Sequence, residues 1–149
     1  MAGVERLDVR QEQDGHSTRG LEGLRIFMVE DEALVAMQLE DMLADIGCQV
    51  VGMAMRLDRA AALLDRVDTL DLAILDVNVN GEKVFPLAQS LHDRGVPLLF
   101  ATGYGRDGLV DGWKAHEVLQ KPYTQKQLVE ALQTVLDRAA SGPADTSNG

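Results

Sequence analysis

The chain has 149 residues, 46% of them hydrophobic, which is enough for one ordinary domain with a real core and too apolar for a disordered protein. Its 14 Lys and Arg stand against 24 Asp and Glu, a net charge of −10, which argues against non-specific nucleic-acid binding and its need for a basic face. The only cysteine, Cys48, rules out an intrachain disulfide and fits a reducing, cytoplasmic setting, and no apolar run approaches the ~18 residues of a membrane span.

Residues 1–22 are polar, without long periodicity and without the apolar stretch of a secretory signal, and read as a disordered leader. Residues 140–149, ending SGPADTSNG, read as a disordered tail. The body, 23–139, alternates two kinds of segment.

Short apolar runs predict strands at 24–29 (LRIFMV), 49–54 (QVVGMA), 72–77 (LAILDV), 97–102 (PLLFAT) and, more weakly, 116–120 (HEVLQ). Several are apolar on successive residues, as parallel strands buried on both faces are. Between them, Val35, Leu39, Met42, Leu43 and Ile46 give helical spacing over 33–46, with Gly47 as the stop. Ala60, Leu63, Leu64 and Val67 repeat it over 58–67, with Asp58 as N-cap. A third helix is predicted over 83–94, with Pro86 in its first turn. The last, over 124–139, has Leu128, Leu132, Val135 and Leu136 on one face and Thr124 as N-cap. Between the fourth and fifth strands, GYGRDGLVDGWKA (103–115) is rich in glycine where a helix belongs, so a short or mobile helix is expected there.

This βα alternation predicts an α/β fold: a doubly wound, five-stranded parallel sheet of order 2-1-3-4-5, with helices on both faces. Ligands of such sheets bind at the carboxyl ends of the strands. Glu30 and Asp31 follow the first strand, Asp76 closes the apolar part of the third, Thr102 ends the fourth, and Lys121 follows the fifth. Like charges about 4 Å apart repel by roughly 4 kcal/mol at an effective dielectric of ~20, so carboxylates gathered there call for a cation. Mg²⁺ suits, because it takes oxygen ligands and pairs with phosphate. An aspartate beside it can attack a phosphoryl group, with Thr102 and Lys121 to meet the phosphoryl oxygens. Taken singly, Asp31 or Glu32 also serves as a helix N-cap, and Asp76 with Asn78, Asn80 and Gly81 also serves as turn chemistry.

Taken together, these residues resemble the receiver domain of two-component response regulators over roughly 24–138, a flavodoxin-like (βα)₅ fold. The resemblance implies that Asp76 is the phosphoacceptor and that Asp31 is a direct Mg²⁺ ligand, with Glu30 acting through water. It makes the Asn78 backbone carbonyl the third protein ligand. Thr102 becomes the switch hydroxyl and Lys121 the phosphate-binding lysine, with a cis peptide bond before Pro122. PLLFATGYG (97–105), DVNVNGE (76–82) and LQKPY (119–123) look like the FATGUY-type single-domain subfamily. The implied partners are a histidine kinase or histidine phosphotransferase and a downstream regulatory protein. The implied chemistry is self-catalysed phosphoryl transfer with slow autodephosphorylation, without enzymatic turnover of a substrate.

Two positions depart from that pattern. The aromatic switch residue expected three positions before the lysine is Val118, and glycines interrupt the fourth helix that dimerising regulators use, so a monomer is expected. With no ring at 118, Thr102 movement is expected to pass into 103–115, with Tyr104 packing inward. Rival readings are a Mg²⁺-dependent aspartyl phosphohydrolase, against which Asn78 stands where a second acid belongs, and an interaction domain that is never phosphorylated. His16, His92 and His116 have no ligand spacing. Trp113 reads as a packing residue, Cys48 as a core or surface thiol, and Met28, Met37, Met42, Met53 and Met55 as core filler.

Overall fold

A computed structural model describes residues 20–148, with side chains to Ser141. Most of the leader, 1–19, lies outside the described residues. The chain runs β1 (Arg25–Val29), α1 (Ala33–Ile46), β2 (Gln49–Ala54), α2 (Leu57–Leu64), β3 (Leu72–Asp76), β4 (Asn78–Val79) and β5 (Glu82–Lys83). It continues through α3 (Phe85–Asp93), β6 (Leu98–Thr102), a single 3₁₀ turn (Gly105–Gly108), β7 (Glu117–Gln120) and α4 (Gln125–Asn148). Five strands form one parallel sheet in the order β2-β1-β3-β6-β7, which is the expected 2-1-3-4-5.

The apolar runs are explained by burial on both faces: every residue of β3 and β6 is buried. On one face Ile26, Met28, Ile74 and Leu99 meet Leu39 and Leu43 of α1 and Leu128 and Leu132 of α4. On the other, Phe27, Leu75 and Phe100 meet Ala60 and Leu64 of α2 and Leu87 and Leu91 of α3. A Cβ at Gly52 would stand 2.9 Å from the Phe27 ring, so a glycine there leaves room for that ring between β2 and Leu63. Of the methionines, Met37 is 59% exposed. The helical period puts it with Leu34, on the side of α1 away from Ala36, Leu39 and Leu43.

Helix α1 spans the expected residues and stops at Gly47, whose φ of 98° lets its N–H return to the Leu43 and Ala44 carbonyls. Thr124 caps α4 as expected: its hydroxyl accepts the Gln127 N–H at 3.1 Å, and the Gln127 side-chain oxygen accepts the Thr124 N–H at 2.8 Å.

Other boundaries differ. Helix α2 starts at Leu57 and ends at Leu64, with Arg56 and not Asp58 at its cap position. Asp58 sits inside the first turn, accepting the Arg59 N–H and the Arg56 guanidinium. Arg94 gathers the carbonyls of Leu64 and Val67 and closes that end. Helix α3 begins at Phe85, because Glu82 and Lys83 belong to a two-stranded hairpin with Asn78 and Val79. Its turn, Asn80-Gly81, has φ of 53° and 85°, the pairing that two-residue hairpin loops require. Helix α4 continues to Asn148, past the expected end at 139 and through the segment read as a disordered tail. The 103–115 segment holds only the 3₁₀ turn, the short element its glycines predict. Among the described residues, no helix is long and apolar enough to cross a membrane.

Candidate functional site

The parallel sheet delivers its strand ends to one edge. One carboxylate oxygen from each of Glu30, Asp31 and Asp76 lies within 4.8 Å of the others. The Lys121 ammonium stands 2.8 Å from Glu30 Oε1 and 3.1 Å from Asp76 Oδ2. Lys121 is held there by its own backbone, whose N–H donates to the Thr102 carbonyl at 2.9 Å, and the following peptide bond to Pro122 is cis. Asp31, Asp76, Asn78, Thr102, Tyr104 and Lys121 line one crevice of about 250 Å³.

The simple N-cap explanation of the acids fails here. Glu32 holds the cap position of α1 but makes no capping bond with its side chain, and its N–H donates to Glu30 Oε2 at 3.1 Å. Asp31 turns away from the helix and accepts the Asn80 N–H at 2.8 Å. The turn-chemistry reading of 76–81 is half right. Asn80-Gly81 does make a turn, and that turn holds Asp31.

The electrostatics follow from burial. Glu30 is 2% and Asp76 6% exposed. Burial, then the neighbouring Glu30, push the Asp76 carboxyl up to about 7 against the pull of Lys121. Burial also opposes ionisation of Asp31, but the Asn80 N–H and hydrogen bonds within the acid cluster outweigh it and hold its carboxyl below the usual value. Burial would lower Lys121, yet Glu30 and Asp76 together raise it. Tyr123 is pushed up to about 12 by burial and then by Glu30. The cluster therefore carries more negative charge than Lys121 alone offsets. Its donors are hard oxygens, the set a divalent cation such as Mg²⁺ takes.

Thr102 is 4% exposed, and its hydroxyl oxygen accepts the Tyr104 N–H at 3.1 Å. Gly108 of the 3₁₀ turn lies over it: a Cβ there would stand 2.7 Å from Thr102 Oγ1. Val118 packs half-buried beside a nest of rings, in which Trp113 lies 5.8 Å from Phe85, 5.7 Å from Phe100 and 5.1 Å from His116 between centroids. His92 and His116, far apart in sequence, meet at 6.0 Å.

Every predicted site residue reaches this edge, but Glu30 lies behind the crevice, locked to Lys121, and not on its wall. Asn80 was read as turn chemistry but not as the donor that holds Asp31, and Lys83 and Gly108 were missed. The Asn80-Gly81 pair carries a hairpin signal that would have brought in Lys83, whereas nothing local marks Gly108 as a neighbour of Thr102.

The response regulator receiver domain matches residues 26–133. The chain belongs to that family. The solution structure of SdrG from Sphingomonas melonis Fr1 is 39% identical, covers 76% of this chain and 97% of its own, and superposes with a TM-score of 0.69. The receiver domain of the PhyR response regulator from Erythrobacter litoralis has the same fold, at 22% identity, 78% and 92% coverage and a TM-score of 0.68. The transcriptional regulatory protein PdtaR of Mycobacterium tuberculosis is 28% identical over 118 residues, 76% of this chain. The chain spans 57% of the length of that relative. Receiver domains act in two-component signalling, interact with kinases and downstream partners, bind Mg²⁺ at an acidic pocket and are generally not enzymes.

Proposed function

We propose that this receiver accepts a phosphoryl group on Asp76 from a histidine kinase or histidine phosphotransferase. It then signals by binding a downstream regulatory protein or drains phosphoryl groups as a sink. The observation that carries this reading is Asp76 itself: it ends β3 within reach of Lys121 at 3.1 Å and within 4.8 Å of Glu30 and Asp31.

Asp31, Asp76 and the Asn78 carbonyl would hold Mg²⁺, with Glu30 behind them. When bound, the ion supplies the positive charge that lets Asp76 ionise and that offsets charge on the incoming phosphoryl oxygens. An Asp76 carboxylate oxygen forms the bond to phosphorus as the phosphorus–nitrogen bond of phosphohistidine breaks, and the leaving imidazole nitrogen takes up a proton. Lys121 steadies one phosphoryl oxygen, and Thr102 donates its hydroxyl to another. Its hydroxyl hydrogen is available, because the Tyr104 bond uses only its oxygen as acceptor. The PLLFATGYG and LQKPY stretches support placement in the FATGUY-type subfamily. The lack of a full helix between β6 and β7 supports a monomer.

Exposure to acetyl phosphate with Mg²⁺, read by intact-mass spectrometry, tests this. The parent should gain one phosphoryl group and Asp76→Asn none. Unchanged incorporation by Asp76→Asn overturns the assignment.

A further inference from the structure

The molecule carries a second feature that the chemistry at Asp76 does not use. Between the free edge of β2 and α2 runs a groove of about 570 Å³. Its apolar lining is Met53, Met55 and Leu63, and its rim is Arg56, Arg59 and Arg66. The arginines are exposed: Arg56 holds the cap position of α2, Arg59 lies in its first turn and Arg66 in the turn that follows its end, at spacings of three and seven residues. In a chain of net charge −10 with only 14 basic residues, such a concentration stands out. Arg56 pairs with Asp58 at 3.2 Å, while Arg59 and Arg66 have no side-chain partner among the described residues.

Beside these arginines, β2 bonds to β1 alone and leaves its other edge open among the described residues. The β1–β2 register slips between Ile26 and Phe27, which bulges β2 at Val51; regular pairing resumes from Gly52 to Ala54, the end of the strand that reaches the groove. An open strand edge accepts an extended chain, with backbone bonds giving affinity and alternate side chains giving specificity. Half-buried methionines adapt to varied apolar groups. The arginines select carboxylates, which they bind in bidentate fashion.

We infer that this groove docks an extended segment of a partner protein in which acidic and apolar residues alternate, laid along β2 with its carboxylates on Arg59 and Arg66. Asp58 already engages Arg56, but Arg59 and Arg66 have no side-chain partner among the described residues, so a short acidic segment can meet them alone, whereas a membrane or a nucleic-acid duplex spans enough of the surface to meet the net charge of −10.

A fluorescein-labelled decapeptide alternating Glu and Val is the probe, titrated into the full chain by anisotropy and by backbone amide shifts. Saturable binding is expected, with shifts confined to 49–66. The peptide with Gln in place of Glu, and the variant Arg59→Glu/Arg66→Glu, should each bind about tenfold more weakly or worse, since each exposed ion pair is worth a few-fold in affinity. Met55→Ser should also weaken it, while phosphoryl uptake from acetyl phosphate stays at the parent level in the arginine variant. The inference is overturned if the peptide does not bind, if the Gln peptide binds equally, or if shifts map outside 49–66. Arginine-dependent binding to vesicles of phosphatidylcholine and phosphatidylglycerol, with none to the peptide, would assign the groove to an anionic surface instead.

Discussion

The Asn80 N–H donates to Asp31 Oδ2 at 2.8 Å, across 49 positions of sequence. The same residue's side-chain amide donates to the Met55 carbonyl at 2.9 Å. A hairpin turn thus braces the acid that the proposed metal site needs most. The brace depends on an unusual backbone, with Asn80 at φ 53°. Asparagine tolerates that conformation and a β-branched residue does not. Asn80→Val should cost about 1–2 kcal/mol in urea unfolding and weaken Mg²⁺ binding, read from Mg²⁺-dependent amide shifts. Asn80→Gly should retain both the turn and the Mg²⁺ response. Equal Mg²⁺ affinity in Asn80→Val and the parent would show that Asp31 needs no brace.

Asp31→Ala should abolish the Mg²⁺-dependent amide shifts around β1, β3 and the hairpin. Lys121 bridges Glu30 and Asp76 and leaves Asp31 without a lysine contact among the described residues, so Asp31 supplies both a ligand and part of the field. If Asp31→Ala binds Mg²⁺ as tightly as the parent, the ion sits elsewhere.

Gly108 and Thr102 should be energetically coupled. A methyl at 108 would meet Thr102 Oγ1 at 2.7 Å and Cγ2 at 3.1 Å. Gly108→Ala should therefore destabilise by about 1–3 kcal/mol, as overpacking does. Thr102→Ala removes both atoms, so the double variant should be more stable than the sum of the singles by about 1 kcal/mol. Strict additivity in a urea-unfolding double-mutant cycle would refute the coupling.

His116 should titrate below the ordinary value of 6.5. Burial is the main cause, then His92 on α3 and Arg138 on α4, against the Trp113 carbonyl. The unfolded chain then takes up the proton more readily than the folded one. The resulting stability is fully present above 6.5 and is lost as pH falls through the lower folded-state value. Ring-proton NMR gives the midpoint. His116→Phe, which suits the nest of Phe100 and Trp113, should flatten the acid side of the stability curve. A midpoint at or above 6.5 contradicts this.

How much of this was legible in sequence follows from range. The five sheet strands, their order and the edge that gathers Asp31, Asp76, Thr102 and Lys121 follow from apolar runs and topology, because burial on both faces leaves a strong local mark. Thr124 and Gly47 were legible because caps and stops are local chemistry. Asp58 misled because a first-turn acid and an N-cap acid look alike in sequence, and Arg56 could not announce itself as the cap. The ring nest of Phe85, Phe100, Trp113 and His116 was invisible, since it is assembled from three separate segments.

The last prediction concerns how a phosphoryl group at Asp76 would be felt elsewhere. Val118 has no ring to turn, and the neighbouring space is already filled by Phe100 and Trp113. Thr102 instead holds the Tyr104 N–H at 3.1 Å, and Tyr104 is 78% exposed. Drawing Thr102 toward a phosphoryl oxygen exchanges that bond for one to the phosphoryl group and lets the start of the segment repack. Gly103 and Gly105 make it easy to deform, whereas buried Leu109 and the packed Trp113 anchor its far half. Movement should therefore concentrate in 103–108, with Tyr104 packing inward, a population shift of a weakly held element. Backbone relaxation with and without Mg²⁺ and beryllofluoride, a phosphoryl mimic, checks it: 103–108 should be mobile without the mimic and ordered with it. Tyr104→Ala should leave phosphoryl uptake intact and weaken partner binding. Equal rigidity in both states, or unchanged partner binding by Tyr104→Ala, would sink this route.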